Sequence, residues 1–208
     1  MTVVLASTSP RRHVLLRYLL DDFQIDAVPV NEVAPRGLPV GDALEVIARK
    51  KALAASRKHP DAVVLGADTV VVYRDHLVGK ARSEIEIRAN MAMLAGEAHH
   101  VMTGVALAYD GRALDAEHCS TQVRFDRFPP EVLGKYVASE AWVGKAGGYG
   151  IQDPILAPFI HIDGPWSNVV GLPLGTTRDL LLRNDIPCKE PPAESWLRDH
   201  NPFDTGSG

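Results

Sequence analysis

The feature that most constrains the fold is the apolar segment Ala62–Tyr73, a dense run of β-branched residues interrupted by one carboxylate, Asp68. This density predicts a buried strand, or two short strands. Because Asp68 interrupts the longest apolar run in the chain, we expect no transmembrane span. An ionised carboxylate is costly to bury without a partner, so Asp68 predicts a metal or a reacting water beside it. A strand break at Gly66 that leaves Asp68 capping a turn fits the same pattern.

Short strands alternate with helical patterns elsewhere. An apolar run at residues 3–6 ends at Ser and Pro, and apolar residues at helical spacing follow, so the chain begins with strand, tight turn and helix. Ser83 and Glu86 form an S-x-x-E capping box, which predicts a helix that ends near Gly96. Further predictions are helices at 42–58, 130–139 and 177–183, a strand at 28–30, and hairpins over 101–125 and 159–170. The mixture predicts an α/β fold with a mixed β-sheet, flanking helices and two lobes around a central cleft.

Composition places the chain among globular proteins with a substantial core, since 46% of its 208 residues are hydrophobic and 23% are charged. Residues 1–188 carry these patterns, and we interpret them as a single α/β domain. From Lys189 onward Pro, Asp, Ser and Gly dominate. Residues 189–208 are therefore predicted to be a flexible C-terminal tail.

Charge and cysteine usage exclude several classes of protein. A formal net charge of −4 argues against a surface built to bind nucleic acid polymers or anionic membranes. An anionic ligand would therefore need a local basic cluster. The two cysteines, Cys119 and Cys188, lie far apart and form no CxxC motif, which fits a reducing compartment. With no basic, apolar signal segment at the N-terminus, we predict a cytoplasmic protein.

The turn Ser-Thr-Ser-Pro-Arg-Arg at residues 7–12 is a candidate phosphate site. Ser9 is a suitable N-cap and Pro10 a suitable first helical residue. A helix N-terminus presents N–H groups and partial positive charge, to which the Ser7 hydroxyl and the guanidinium groups of Arg11 and Arg12 add donors. An ordinary capped helix with two solvated arginines has the same pattern.

Two lysines and a glutamate are further candidates. Lys51 follows Ile47 by four residues, which places it beside the apolar stripe of its helix, where it either meets an anion or extends to solvent. Lys80 has the same two interpretations at the end of a short strand. Glu32 follows a predicted strand and, with Asp68, offers hard oxygen ligands for Mg²⁺ or Mn²⁺ bridging substrate phosphates. A solvated loop glutamate is the alternative.

The loop Lys-Ala-Gly-Gly-Tyr-Gly-Ile-Gln at residues 145–152 combines backbone freedom, an aromatic ring and the amide of Gln152, which suits a nucleobase pocket. A glycine-rich hairpin connection would have the same letters. Thr69 either bonds a ligand or supplies strand propensity. The eight histidines form no metal-binding motif and receive no role, and the chain has no Walker A or GxGxxG motif.

The order of these segments resembles the Maf family of nucleoside triphosphate pyrophosphatases. The matching motifs are Leu-Ala-Ser-Thr-Ser-Pro-Arg-Arg, Leu-Gly-Ala-Asp-Thr-Val-Val, Gly-Lys, Lys-Ala-Gly-Gly-Tyr-Gly-Ile-Gln and Val-Val-Gly-Leu-Pro-Leu. The resemblance covers about residues 2–182. It implies a metal-dependent α/β hydrolase of nucleotide metabolism, usually a homodimer, that cleaves between the α- and β-phosphates of a nucleoside triphosphate.

The resemblance also implies roles for particular residues. Asp68 would accept the proton of the attacking water, and Glu32 with Asp68 would bind Mg²⁺, Mn²⁺ or Co²⁺. The triphosphate and base would be held by Ser7, Arg11, Arg12, Lys51 and Lys80. Arg11, Thr69 and Gln152 match the dTTP/UTP branch. Two alternatives stay open at this point: a nucleotide-binding regulator of cell division and septum formation without turnover, or a pyrophosphatase specific for 7-methyl-GTP or for inosine and xanthosine triphosphates.

Overall fold

A computed structural model describes residues 1–203 and contains a mixed sheet with flanking helices. Its strands are Thr2–Leu5 (β1), Gln24–Ile25 (β2), Ala62–Tyr73 (β3), His76–Val78 (β4), Ala98–Tyr109 (β5), Arg112–Phe125 (β6) and Ile160–Asp163 (β7). They are ordered β2-β1-β3-β5-β6-β7, and β4 pairs with β3. β1 is parallel to β2 and β3, whereas β3–β4 and β6–β7 are antiparallel pairs. The predicted α/β fold with a mixed sheet is confirmed.

The helices are Pro10–Leu16 (α1), Val40–Ser56 (α2), Glu84–Leu94 (α3), Pro130–Ala138 (α4), Trp166–Val170 (α5), Leu174–Arg183 (α6) and Glu194–Asp199 (α7). The capping box is present at the start of α3. There the Ser83 hydroxyl accepts a bond from the Glu86 N–H, and the Glu86 carboxylate accepts one from the Arg82 N–H. Among residues 1–203, no helix is long and apolar enough to cross a membrane.

β3 is continuous across the residues where a break was considered. Its first half pairs in parallel with β1, from Thr2 opposite Ala62 to Leu5 opposite Leu65, and residues 62–67 are buried. The strand then continues through Asp68 to Tyr73. The alternative in which Asp68 caps a turn is therefore wrong.

Two glycines let α2 lie directly against the sheet. A Cβ at Gly66 of β3 would be 2.3 Å from the carbonyl oxygen of Ala48, and a Cβ at Gly104 of β5 would be 2.6 Å from the carbonyl carbon of Leu44. Real Cβ atoms do not approach backbone this closely, so both strands need glycine here. The apolar stripe predicted for this helix is the face that is buried.

Two predicted strands are wrong. Residues 28–30 do not join the sheet, since Pro29 lacks the N–H that a ladder requires, and β2 lies earlier in the chain. Residues 168–170, predicted as the second arm of a hairpin, belong to α5, and β7 pairs with β6 instead. The Asn168 side chain is buried and donates to the Val101 carbonyl and the Thr121 hydroxyl, both at 2.9 Å. This tertiary bonding outweighs the strand propensity of the two valines that follow.

The described residues divide into two compact units. The first unit comprises Met1–Thr69, Thr103–Cys119 and Gly171–Ala193, and the second comprises Val70–Met102, Ser120–Val170 and the residues from Glu194 onward. The long strands β3, β5 and β6 contribute residues to both.

The stretch predicted as a loose tail contains regular structure. α7 lies within it, and the Leu197 side chain is fully buried. The ring of Phe203 stacks on Trp166 with a centroid separation of 6.2 Å. Residues 204–208 of the predicted tail lie outside the described residues.

Candidate active site

The turn between β1 and α1 is held by its own polar groups. Ser9 occupies the N-cap and Pro10 the first turn of α1, as predicted. The buried Ser7 hydroxyl accepts a bond of 3.2 Å from the Ser9 N–H, and the Ser7 carbonyl oxygen lies 2.7 Å from the His13 Nε2 atom. The turn is therefore a fixed structure from which the two arginines extend.

Arg12 ties this turn to distant parts of the first unit. Its guanidinium donates to the Gly171 carbonyl at 2.8 Å, to the Thr69 hydroxyl at 2.9 Å and to the Ser7 hydroxyl at 3.2 Å. Burial lowers the pKa of Arg12 from its ordinary value, and the negative charge of Asp68 opposes that shift. Arginine nevertheless stays protonated near neutral pH. The interpretation of Arg12 as a solvated surface residue is wrong.

Thr69 and Gly171 complete what we call the arginine clamp, which consists of Ser7, Arg12, Thr69, Thr103 and Gly171. The Thr69 hydroxyl lies 2.9 Å from the Thr103 hydroxyl and 3.4 Å from the Gly171 carbonyl oxygen. Gly171 has a φ of +126°, a conformation that favours glycine. The Val-Val-Gly-Leu-Pro-Leu motif marked Gly171 without a role, and no sequence signal marked Thr103.

Lys51 binds two carboxylates. Its ammonium nitrogen is 2.6 Å from Asp68 Oδ1 and 2.8 Å from Glu32 Oε1. Exposed fractions are 14% for the Lys51 side chain and 16% for Asp68, but 57% for Glu32. The expectation that an inward lysine meets an anion is confirmed, and the alternative that it extends to solvent is wrong. We call Lys51, Asp68 and Glu32 the ion triad.

The close contact at Gly66 explains how the triad forms. It brings α2 against β3 two residues before Asp68, and Lys51 follows Ala48 by three residues on the same helix. The clamp and the triad are also electrostatically connected, because the charges of Asp68, Glu32 and Arg11 all act on Arg12. The first unit thus collects cations, carboxylates and hydroxyls.

The triad carboxylates fit a divalent cation. Two oxygen ligands within hydrogen-bond distance of one nitrogen already converge on a point of positive charge, and Mg²⁺ and Mn²⁺ prefer such ligands. The exposed Glu32 leaves this point open to solvent.

A second group of possible metal ligands comprises Asp42, Glu45 and His118, whose ligand atoms lie within 4.8 Å of one another. His118 Nδ1 is 2.8 Å from Glu45 Oε1, so a local hydrogen bond already accounts for two of these residues. No local pattern indicated this group, because His118 lies on β6, far along the chain from Asp42 and Glu45.

Two candidate residues belong to the second unit. Lys80 is exposed after β4, and Gln152 is half-buried at the end of the glycine-rich loop. That loop has left-handed conformations at Gly147 and Gly148, and the Tyr136 hydroxyl donates to the Gly148 carbonyl at 3.0 Å. The glycines thus allow left-handed backbone conformations, and the hydrogen bond from Tyr136 holds the loop in one turn. The roles of Lys80 and Gln152 stay predictions.

Comparisons with known proteins give the chain its relatives. The family described as "Maf-like protein" matches residues 2–184. A protein of Geobacillus sp. named dTTP/UTP pyrophosphatase is 41% identical over 176 residues, which are 84% of this chain and 94% of that protein. A protein of Thermomicrobium roseum with the same name is 39% identical over 192 residues, which are 92% of this chain and 88% of that protein. Among solved structures, the Ham1 protein of Staphylococcus aureus is 13% identical with a TM-score of 0.44, covering 60% of this chain and 72% of that one.

Proposed function

The chain belongs to the Maf-like protein family, and from this premise we propose that it hydrolyses nucleoside triphosphates, dTTP and UTP in particular, to the monophosphate and pyrophosphate. Its relatives named dTTP/UTP pyrophosphatase match most of the chain. The structural observation that carries the proposal is the ion triad, in which one ammonium lies between two carboxylates on the unit that also holds the arginine clamp.

The basic groups account for the binding of a polyanion by an acidic chain. Although the net charge is −4, Arg11 and Arg12 lie close enough that the charge of one acts on the other, and Lys51 adds an ammonium to the same unit. A fixed guanidinium binds phosphate oxygens with charge-assisted bonds and loses little side-chain entropy when it does so. Lys80 would add a further cation from the second unit.

Asp68 is suited to accept a proton. Lys51 donates to Oδ1 and leaves Oδ2 as a second acceptor for the proton of a water molecule. In the proposed reaction, water oxygen attacks the α-phosphorus while Asp68 takes its proton. The bond from the α-phosphorus to the bridging oxygen breaks, and pyrophosphate departs with the electron pair.

Glu32 and Asp68 would hold a divalent cation, for which we propose Mg²⁺, Mn²⁺ or Co²⁺. Such a cation neutralises phosphate charge and polarises the reacting centre. The chain's own contribution is to keep two carboxylate oxygens converging on one point. Lys51 lies at the same point and would pair with a phosphate oxygen of the bound substrate.

For base selection we propose Arg11, Thr69 and Gln152. Arg11 is half-buried in the first turn of α1, and the Thr69 hydroxyl is already oriented by Arg12 and Thr103. Gln152 offers both an amide donor and an acceptor, the combination that the edge of uracil or thymine requires.

We further propose that the protein acts in the cytoplasm as a homodimer. Triphosphate substrates are cytoplasmic solutes, and Cys119 and Cys188 are both free thiols. Sedimentation of the purified chain at several concentrations would test the dimer.

The test of the function is pyrophosphate release from a panel of triphosphates with Mg²⁺ or Mn²⁺, on the intact chain and on Asp68→Asn. We expect dTTP and UTP to be the best substrates and the variant to lose on the order of 10³-fold in kcat, the range for removal of a general base. Asp26→Asn is the matched control, because Asp26 lies in the same unit but pairs with His59. Triphosphate binding without pyrophosphate release, or full activity of Asp68→Asn, would contradict the proposal.

A further inference from the structure

We propose that residues 194–203, which we call the C-terminal segment, position the Gln152 loop (residues 150–156) and thereby set the base selectivity of the enzyme. This inference rests on the proposed function. The family model matches residues 2–184, so the segment lies outside the matched residues.

The segment is anchored at both of its ends. At its start, the Glu194 carboxylate accepts bonds from the Ser167 hydroxyl at 2.5 Å and from the Ser167 N–H at 2.8 Å. At its end, the ring of Phe203 stacks on Trp166 at an interplanar angle of 26°. Between them, Leu197 is fully buried. Such contacts fix the segment against the second unit instead of leaving it as a loose tail.

One side chain of the anchored segment holds the Gln152 loop directly. The Asn201 amide nitrogen donates to the Gln152 backbone carbonyl at 3.1 Å, and the Asn201 amide oxygen accepts from the Phe203 N–H at 3.1 Å. Both ends of the amide are therefore engaged, and its orientation is fixed. A bond to the backbone of Gln152 restricts the loop without occupying the side chain that would recognise the base.

The segment and the loop also share a cavity. It has a volume of about 280 Å³ within the second unit, and Ile151, Gln152 and Trp166 line it together with Arg198 and Asn201 of the segment. Loss of the Asn201 contact would give the loop space into which to move. We therefore infer that Asn201 is a positioning residue that acts through Gln152.

The test compares Asn201→Asp with Asn184→Asp. The first variant keeps the oxygen that accepts from Phe203 but replaces the donor to the Gln152 carbonyl by an acceptor. The second makes the same chemical change at Asn184, whose amide donates to the Leu180 carbonyl at the end of α6 in the first unit. Any general effect of an added carboxylate appears in both.

We expect Asn201→Asp to raise KM for dTTP and UTP by about three- to tenfold and to lower their preference over CTP by a similar factor, since the change removes one positioning hydrogen bond. The kcat for dTTP should change less than twofold because Asp68 and the ion triad are untouched. Amide hydrogen exchange of residues 150–156 should quicken in this variant. Asn184→Asp should match the original chain in KM, base preference, kcat and hydrogen exchange.

Unchanged selectivity, or unchanged exchange of the loop, would overturn the inference. A parallel fall in kcat for every triphosphate would do the same, because it would indicate general damage rather than positioning. Hydrogen exchange separates this failure from failure of the proposed function: a chain without pyrophosphatase activity contradicts the function, whereas protection of the loop tests the Asn201 contact independently.

Discussion

The two units bury ionisable side chains in opposite ways. In the first unit, the Lys51 ammonium and the Asp68 carboxylate lie 2.6 Å apart, so each supplies the countercharge of the other. In the second unit, His99 is buried against Phe125 and Tyr149, and its Nε2 lies 2.6 Å from the Tyr149 hydroxyl. Burial, with a smaller contribution from His100, lowers the pKa of His99 to about 4. A nearby opposite charge favours the charged form of an ionisable group, whereas burial among aromatic rings favours its neutral form.

The largest expected effect comes from removing the positive charge of Lys51 from the ion triad. We expect Lys51→Met to lower kcat/KM for dTTP by on the order of 10³-fold, because phosphate binding and the charge balance of Asp68 are lost together. Unfolding free energy should fall by about 2 kcal/mol, less than for a fully buried pair, since both side chains are slightly exposed. Steady-state kinetics and urea unfolding measure the two effects.

Lys50→Met is the matched control. Lys50 is the preceding residue of α2, and its ammonium donates to the Val33 carbonyl. Equal losses in the two variants would show that the triad has no special role.

The neutral state of His99 can be tested by lowering the pH until the buried ring takes up a proton. Below pH 6.5 the unfolded chain takes up a proton at His99, whereas the folded chain does so only near pH 4, so stability is present above pH 6.5 and is lost as the pH falls to 4. The loss should be on the order of 3 kcal/mol, since one pKa unit corresponds to about 1.4 kcal/mol. Urea unfolding at several pH values should show a flatter profile for His99→Gln, whereas His100→Gln, which removes only the smaller contribution to the pKa shift, should stay close to the original slope. A His99→Gln profile as steep as the original would assign the acid sensitivity to other groups.

A change in backbone distance should sharpen the contrast, because the contact between Lys51 and Asp68 depends on the close packing of α2 on β3 at Gly66. Gly66→Ala would place a methyl group against the Ala48 carbonyl, which we expect to destabilise the fold by about 1 to 3 kcal/mol. Displacement of α2 should also carry Lys51 away from Asp68 and lower kcat/KM by about tenfold, since small misplacements of catalytic groups are costly.

Gly175→Ala in α6 serves as the control, because a Cβ there meets nothing within 4 Å and alanine favours helix. A normal rate for Gly66→Ala would mean that the triad tolerates a wider separation of α2 from β3.

The smallest expected effect distinguishes the triad from the other group of possible ligands. Glu32→Gln should raise the Mn²⁺ concentration that gives the half-maximal rate by about tenfold, because a charged oxygen ligand is replaced by a neutral one. His118→Gln should leave it unchanged. An effect of His118→Gln with no effect of Glu32→Gln would instead assign the proposed cation to Asp42, Glu45 and His118.

Local patterns predicted the elements whose signals are local. The Ala62–Tyr73 run, the Ser83 capping box and the position of Pro10 at the start of α1 agree with the structure. The strand predicted at residues 168–170 was wrong because the buried Asn168 side chain bonds to strands that lie far away in sequence. Propensity cannot register such partners.

Within the candidate site, some features likewise followed from local sequence signals and others depended on the tertiary fold. The inward position of Lys51 followed from helical spacing, but its choice of Asp68 and Glu32 as partners required the tertiary fold. Arg12 was marked as a candidate from the sequence, yet the carbonyl that orients it lies 159 residues further along the chain. Composition likewise gave no indication of α7, whose anchoring depends on Ser167 and Trp166.

The bond between Arg12 and Gly171 also has a consequence for the order of events during synthesis. The N-terminal turn leaves the ribosome first, but Arg12 cannot reach the carbonyl that orients it until residue 171 has been translated. A nascent chain that ends before residue 171 therefore carries the Ser-Thr-Ser-Pro-Arg-Arg sequence without an oriented guanidinium. Translation of residue 171 is thus the event after which the turn can reach its folded arrangement.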